Sequence, residues 1–521
     1  MPVVRAWLRR HEYRDSMILM YLSSQLEKLP GVERAMAIMG TEANKGLLAT
    51  VDLLAPEVES AGPNDLVISM RATSEEAVAA AAARLDELLS RQLQATGASE
   101  ATYRSLEGAV QGLPGANLAV ISVPGRYAAR EARKALDLGL HVLLFSDNMP
   151  VADEVELKRL GGERGLLVMG PDCGTAIVNG VALGFANVVR RGTVGIVGAS
   201  GTGTQEVSVL IDRAGLGVSH ALGTGGRDLS REVGAATTLQ ALDLLEDDPG
   251  TEVVVLVSKI PAPEVAAKVL ARAEACRKPV VACLLGQQGG ATVGRVRVVG
   301  TLAEAAVAAV ALAGGRGAPG LAPAAESGAV AMAERAALAP GQRFVRGLFS
   351  GGSLCEEALV VWRDALGPVR SNVPLDAALR LSDPRRSEGH TAVDLGDDYF
   401  TAGRPHPMID PATRVERLLA EAADPTVAVV VLDVVLGYGA HPDMAGALAP
   451  ALLEARRRAE AAGRHLAVVA HVCGTGGDPQ GLATQEEKLR AAGALLAGSN
   501  AAAARLAALI AGGKGGNGDG K

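Results

Sequence analysis

Apolar and polar positions change their period along this chain, and the change divides it. Over residues 3–90, short apolar runs stand between amphipathic stretches. Residues 3–8 predict a strand, and 16–29 predict a helix stopped by Pro30-Gly31. A strand over 34–39 ends at Gly40-Thr41, a short helix follows, and 65–70 predict a third strand. Ser74 is placed to cap an Ala-rich helix over 75–90. The expectation for this part is a small α+β domain, followed by a polar link over 91–117. From residue 118 apolar strands alternate with helical segments of ten residues or more. The predicted strands are 118–123, 141–145, 166–169, 193–197, 217–221, 252–257 and 280–285. Such runs, apolar on both faces, are the mark of parallel βαβ units. A stretch rich in Ala, Gly and Pro over 313–342 predicts a linker. A second α/β block follows, with strands at 344–349, 427–432 and 466–471, and the glycine-rich residues 512–521 predict a flexible tail.

Composition narrows the function classes. The chain has 521 residues, enough for several domains at roughly 150 residues each. Aromatic residues are 2% of it, which disfavours modules that stack bases on aromatic rings. The net charge is -7 with no long Lys/Arg run, so no nucleic-acid partner is expected. Five scattered cysteines (Cys173, Cys276, Cys283, Cys355, Cys473) form no Cys-x-x-Cys pair, so neither a disulfide framework nor a zinc site is predicted. Arg5, Arg9, Arg10 and Asp15 interrupt the amino-terminal apolar residues, and no uncharged run is long enough for a membrane span. A cytoplasmic location is the expectation.

Ligands of doubly wound sheets bind beyond the carboxyl ends of strands, where glycine-rich turns open into helices. Three such turns occur: Ser200, Gly201, Thr202, Gly203 and Thr204; Gly351, Gly352 and Ser353; and Gly437 with Gly439. Glycine lets backbone approach a ligand, while free amides and the helix dipole favour an anion. These ten residues are the predicted phosphate-binding set. No Walker loop occurs, so P-loop NTP hydrolysis is not expected. The polar segment 394–411 carries Asp394, Asp397, Asp398, Arg404, His406 and Asp410 among three prolines and two glycines, a composition that precludes a regular helix. Here Arg404 is the predicted carboxylate hook, His406 the acid/base and Asp410 the group orienting it. Asp394, Asp397 and Asp398 could take Mg²⁺, although adjacent loop acids are usually just solvated. His471, at another strand end, ranks behind His406. His141 and His220 are expected to be core residues, and Cys355 structural.

Several motifs resemble a known family. Residues 118–286 resemble the α subunit of succinyl-CoA synthetase through Met169-Gly-Pro-Asp-Cys-Gly174, Val194-Gly-Ile-Val-Gly-Ala-Ser-Gly-Thr202, Gly223-Thr-Gly-Gly-Arg-Asp228 and Lys278-Pro-Val-Val281. Residues 344–510 are similar to the carboxyl-terminal domain of its β subunit. The fused layout resembles the FdrA proteins, acyl-CoA synthetase-like, as do Phe145-Ser-Asp-Asn148, 225–234 and 394–410. The fold this implies is α/β, with Rossmann-like and flavodoxin-like parallel-sheet domains behind the small α+β domain. The corresponding boundaries are 1–95, 116–190, 191–315 and 342–511. In the synthetases a mobile histidine carries phosphate, but the matching stretch here, 286–295, contains no histidine. The Glu that supports it is replaced by Ser258-Lys259, and the glycine-rich CoA loop is missing. The helix starts that cradle phosphate there have counterparts at 200–204 and 437–439.

Three functions are open at this point. The first is an acyl-CoA synthetase-like enzyme or subunit that handles a small carboxylate or an acyl phosphate, with the use of CoA and ATP undecided. The second, an assignment carried by the same branch, is a subunit of an oxamate carbamoyltransferase, which interconverts oxalurate plus phosphate with oxamate plus carbamoyl phosphate in allantoin breakdown. The third is a non-catalytic scaffold subunit. The resemblance implies an oligomer, with itself or with other subunits.

Overall fold

Alternation of side chains across a pleated strand builds the first part of the chain. The elements are β1 (Val3–Arg9), α1 (Ser16–Glu27), β2 (Val32–Met39), α2 (Glu42–Thr50), β3 (Leu66–Ala72) and α3 (Glu75–Ala95). The sheet is antiparallel with order β1-β3-β2. Consecutive residues of β3 serve opposite faces. Ile68 packs with Leu22, Leu26 and Leu85, whereas Val67 packs with Leu48, Leu53 and Val58. The computed structural model describes residues 3–12, 16–27, 29–95, 102–286, 290, 292–315, 326–401 and 404–513. The chain divides into two units, residues 1–105 and 106–521.

The second unit opens with α4 (Leu106–Gly112), β4 (Leu118–Ile121), α5 (Gly125–Asp137), β5 (His141–Leu144), α6 (Val151–Glu163) and β6 (Val168–Met169). These strands form a small parallel sheet, β4-β5-β6. Next come β7 (Thr175–Val178), β8 (Val181–Gly184), β9 (Arg191–Ala199), α7 (Gly201–Arg213), β10 (Val218–Gly223) and α8 (Ala236–Asp247). They continue into β11 (Val253–Ser258), α9 (Pro263–Glu274), β12 (Val280–Leu284), β13 (Thr292–Val293), β14 (Val296–Val299) and α10 (Leu302–Leu312). Their sheet runs β13-β14-β12-β11-β9-β10-β7-β8. The last stretch begins with α11 (Glu326–Ala336), β15 (Phe344–Phe349), α12 (Gly352–Leu366), β16 (Arg370–Ser371), β17 (Thr391–Asp394) and α13 (Asp398–Thr401). It ends with α14 (Ala412–Ala423), β18 (Val427–Val435), α15 (Met444–Ala461), β19 (Ala467–Cys473), α16 (Leu482–Ala491), β20 (Leu495–Ala497) and α17 (Asn500–Ile510), on a sheet ordered β16-β17-β15-β18-β19-β20.

The two large sheets repeat one plan. The order β10-β9-β11-β12-β14 in the first matches β17-β15-β18-β19-β20 in the second, and these strands are parallel. In both, the first strand of the plan (β9 or β15) runs through a short turn into a helix, α7 or α12. A single core joins the halves: Leu210 of α7 and Leu302 of α10 belong to the same apolar cluster as Leu354 and Trp362 of α12 and Ala504 of α17. Trp362 Nε1 also donates to the Ala504 carbonyl at 2.8 Å.

Several expectations need correction. The segment after β6 is not strictly alternating β and α, because β7 and β8 form an antiparallel hairpin. The expected linker contains α11, and the polar link contains α4. The segment 394–411 is neither all loop nor free of helix: Asp394 ends the paired strand β17, and α13 makes one turn after it. Strand β18 runs through Asp433 to Val435 instead of ending at 432. Residues 514–521 of the expected tail lie outside the described residues. Among the described residues, no helix is long and apolar enough to cross a membrane.

Candidate functional site

Two of the three glycine-rich turns meet. Ser200 caps α7, its Oγ accepting the Gly203 amide at 2.9 Å. The same hydroxyl donates to Ser353 Oγ, in the first turn of α12, at 2.5 Å. Beside this bond, a Cβ on Gly351 would come within 2.9 Å of the Thr202 side chain. Only a glycine tolerates that approach, so helix starts from both halves converge on one place. Gly201, Thr202 and Gly352 keep part of their surface open there. Gly203 and Thr204 turn inward instead, and Thr204 Oγ1 donates to the Ser200 carbonyl at 2.7 Å. They shape the turn without facing a ligand.

The loop before α12 is held from below. Asp433 of β18 accepts the amides of Ser350 and Gly351, each at 2.8 Å, and the Ser350 hydroxyl at 3.0 Å. Arg414, wholly buried, pairs with Asp433 Oδ1 at 3.0 Å and leaves its Nε and Nη1 without partners. Burial pushes the Arg414 guanidinium down, against the opposing pull of Asp433.

The third turn does not join. The Gly437 amide donates to Gln480 Oε1 at 3.0 Å, and the Tyr438 amide to the Ala186 carbonyl at 2.8 Å. A Cβ on Gly437 would lie 2.4 Å from that carbonyl, and one on Gly439 would lie 2.8 Å from the Phe185 ring. These glycines permit close packing against 185–187. The helix that follows, α15, is capped by Asp443, a carboxylate that opposes an anion. The turn that meets the Ser200 turn is therefore 351–353 and not 437–439.

The predicted catalytic trio is also dispersed. Arg404 is exposed and pairs with Glu416 at 3.4 Å. Asp410 Oδ1 accepts the Ala412 amide at 2.8 Å and does not orient the His406 ring. His406 itself lies close to the site, since a Cβ on Gly396 would come 2.6 Å from its Nε2. Its Nδ1 accepts the Met408 amide at 3.2 Å, so the neutral ring carries its proton on Nε2. Burial pushes its pKa down to about 4, with Asp433 opposing and Arg414 assisting. At neutral pH His406 is a hydrogen-bond donor and not a proton shuttle.

What the sequence pattern did not single out is Lys259. It follows β11 at the carboxyl end of the first sheet, half-buried, and faces Glu356, Asp394, Asp172 and Asp397. Desolvation opposes its charge, but these acids outweigh it and hold the ammonium above its usual range. Asp394 is pushed up to about 7 by burial, which Lys259 and the Gly396 amide oppose and Asp397 and Glu356 reinforce. Burial likewise raises Glu356, again opposed by Lys259. Asp172 is raised mainly by desolvation although the residue is exposed. Among the described residues, no group of three His, Cys, Asp or Glu is arranged to hold a metal ion.

Other singled-out residues are structural. The buried Lys158 ammonium pairs with Asp228 at 2.7 Å and Glu154 at 2.9 Å, and Asp228 also accepts the amides of Thr237 and Thr238. That network accounts for the 223–228 motif. His471 is wholly buried against Glu206 at 2.8 Å. His141 accepts the Leu167 amide and His220 the Asn179 amide. All five cysteines are buried and free, and burial pushes the Cys355 thiol far up.

Comparison with known proteins shows what the chain is similar to. A family model described as CoA-ligase matches residues 348–510, and one described as CoA binding domain matches 189–286. A third, described as AllF, heavy metal-associated domain, matches 1–104. That stretch contains no cysteine, and His11 is its one histidine. The Escherichia coli (strain K12) protein called Uncharacterized protein YahF is 48% identical over 95% of this chain and 96% of its own. The succinate–CoA ligase [ADP-forming] subunit alpha of Methanothermobacter thermautotrophicus is 33% identical over 35% of this chain and 62% of its own. Among solved structures, the apo dinucleotide-forming acetyl-coenzyme A synthetase 1 of Ca. Korarchaeum cryptofilum aligns with a TM-score of 0.32 at 16% identity, covering 77% of this chain and 84% of its own.

Proposed function

The chain belongs to the FdrA family of acyl-CoA synthetase-like proteins, and from that premise we propose that it is an enzyme or enzyme subunit binding phosphate or an acyl phosphate between α7 and α12. The observation that carries this reading is the 2.5 Å bond between Ser200 and Ser353. It brings two helix starts together, and each presents unpaired amides and the positive end of a dipole. Gly201, Thr202 and Gly352 supply amides and a hydroxyl on the open side. His406 adds a neutral N–H donor next to them.

The family name implies CoA, whose glycine-rich loop this sequence lacks. At the start of α5, a Cβ on Gly125 would lie 2.0 Å from the Asp147 carbonyl. A nucleophilic acceptor bonds to the acyl carbon as the carbon–oxygen bond to phosphate breaks, and the helix starts stabilise the charge on the phosphate that leaves. Calorimetric titration with inorganic phosphate and acetyl phosphate tests this. Substituting Ser200→Ala together with Thr202→Ala should weaken binding at least tenfold; equal affinity in the double variant excludes the site.

One observation favours a second reading, an oxamate carbamoyltransferase subunit. Residues 286–295 hold no histidine to carry phosphate, and a carbamoyl group exchanged directly between phosphate and an amide needs none. Carbamoyl phosphate formed from oxalurate and phosphate without CoA or nucleotide would decide for it. Product that requires both would decide for the ligase.

A further inference from the structure

The charges at the start of α12 are not balanced by contact. Lys259 makes no ion pair or side-chain hydrogen bond among the described residues, although four carboxyl groups bear on it. Glu356, on the first turns of α12, is 8% exposed, and its Oε2 has no partner. Gly352 marks the place these groups surround: a Cβ there would lie 2.7 Å from Asp394 Oδ2 and 3.5 Å from Lys259 Nζ. An oxygen of a ligand at the start of α12 is thus within reach of the ammonium and beside Asp394. A buried carboxyl oxygen without a donor is costly unless it carries a proton or meets a ligand.

Resting on the anion site above, we propose that Lys259 is the cation of that site: its ammonium takes an oxygen of the bound phosphoryl group while Asp394 and Glu356 hold protons beside it. The groups involved come from both halves. Lys259 is faced by Glu356, Asp394, Asp172 and Asp397. Asp394 is faced by Lys259, Asp397 and Glu356, by the Gly396 amide, and by the thiol of Cys355. Asp172 is faced by Lys259, Asp147, Asp398 and Arg227. Lys259 favours the ionised carboxylates. An arriving anion both engages that ammonium and adds negative charge, so each carboxyl binds its proton more tightly. Anion binding is therefore accompanied by proton uptake from solvent.

The test is calorimetric titration of the full-length protein with inorganic phosphate at pH 8, where phosphate is mostly dianionic, in buffers of differing ionisation enthalpy. The expected result is net proton uptake that shrinks in Asp394→Asn. Affinity should fall at least tenfold in Lys259→Gln and recover in part in Lys259→Arg, with melting temperatures showing that each variant is folded. Phosphate binding in the wild type with the same affinity in Lys259→Gln overturns this assignment and leaves the α7–α12 site standing. Loss in Ser200→Ala/Thr202→Ala but not in Lys259→Gln overturns it in the same way. No binding by the wild type overturns both.

Discussion

A histidine in a loop full of acids invites the role of proton shuttle, and His406 shows how packing withdraws it. Its ring lies against Phe185, with centroids 6.1 Å apart, and its Nδ1 lone pair is taken by the Met408 amide. With a pKa lowered to about 4, the folded protein resists protonation that the unfolded chain accepts near 6.5. Stability from this residue is therefore intact above pH 6.5 and declines as pH falls toward 4. His406→Gln should lose less stability than the wild type over that interval in urea unfolding at stepped pH. Parallel declines would show that the ring titrates normally. At the same scale, Ser200→Ala removes a helix cap, and a loss of about 1 kcal/mol is expected. A cap variant as stable as the wild type would place the Ser200 hydroxyl elsewhere.

Among the elements, α7 and α12 carry matching glutamates that brace the opposite half. Glu206 accepts the amide of Asn500, the first residue of α17, at 3.0 Å. Glu357 accepts the amide of Leu302, the first residue of α10, at 2.6 Å. Asn500 Nδ2 then reaches Glu357 Oε2 at 2.7 Å. The symmetry breaks in the strands beneath. The register that sets Leu256 opposite Ala282 and Leu432 opposite Ala470 makes Cys283 the counterpart of His471. Glu206 has an imidazole, and charge from His471 helps hold its pKa low against burial. Glu357 has only a thiol, and burial followed by repulsion from Glu206 pushes it up to about 7. Because its folded pKa exceeds the unfolded value, its contribution is full below about 4.5 and is lost as pH rises through 7. Glu357→Gln should flatten that part of the stability profile, and an unchanged slope would count against the buried proton. Removing the imidazole in His471→Ala leaves the buried Glu206 carboxyl without its ion-pair partner, so about 3–5 kcal/mol of stability should go in chemical denaturation. A cost below about 1 kcal/mol would mean that water already serves the pair. Little of this brace was legible in sequence, since Glu206 and His471 stand 265 residues apart. The glycine turns were legible, because a strand, small residues and a helix are local facts. Which turns meet is not local, and Gly437 misled because glycine serves close backbone packing as well as ligand approach. The β7–β8 hairpin did carry a signal in Asn179-Gly180, both at positive φ (53° and 82°), a turn that matches strand twist.

Across the whole molecule, the division of cores sets how the chain should come apart. Residues 1–105 own two apolar clusters, one on each face of their sheet. The two large sheets share one cluster through α7, α10, α12 and α17, so neither half can lose its packing without exposing the other. Duplication of plan thus does not mean independence of folding, and the boundary that matters thermodynamically lies near residue 105 and not between the sheets. Calorimetry of the full chain should show two transitions, of about 70 and about 290 kcal/mol at about 0.7 kcal/mol per residue near 60 °C. The two tryptophans identify them, because Trp7 lies in the first unit and Trp362 is wholly buried in the second. In Trp7→Phe the remaining emission should follow the larger transition alone, and a chain beginning at residue 106 should lack the smaller one. Three transitions, with Trp362 reporting a unit half the expected size, would show that the sheets melt separately. The braces Glu206–Asn500 and Glu357–Leu302 would then be too weak to couple the halves that build the site.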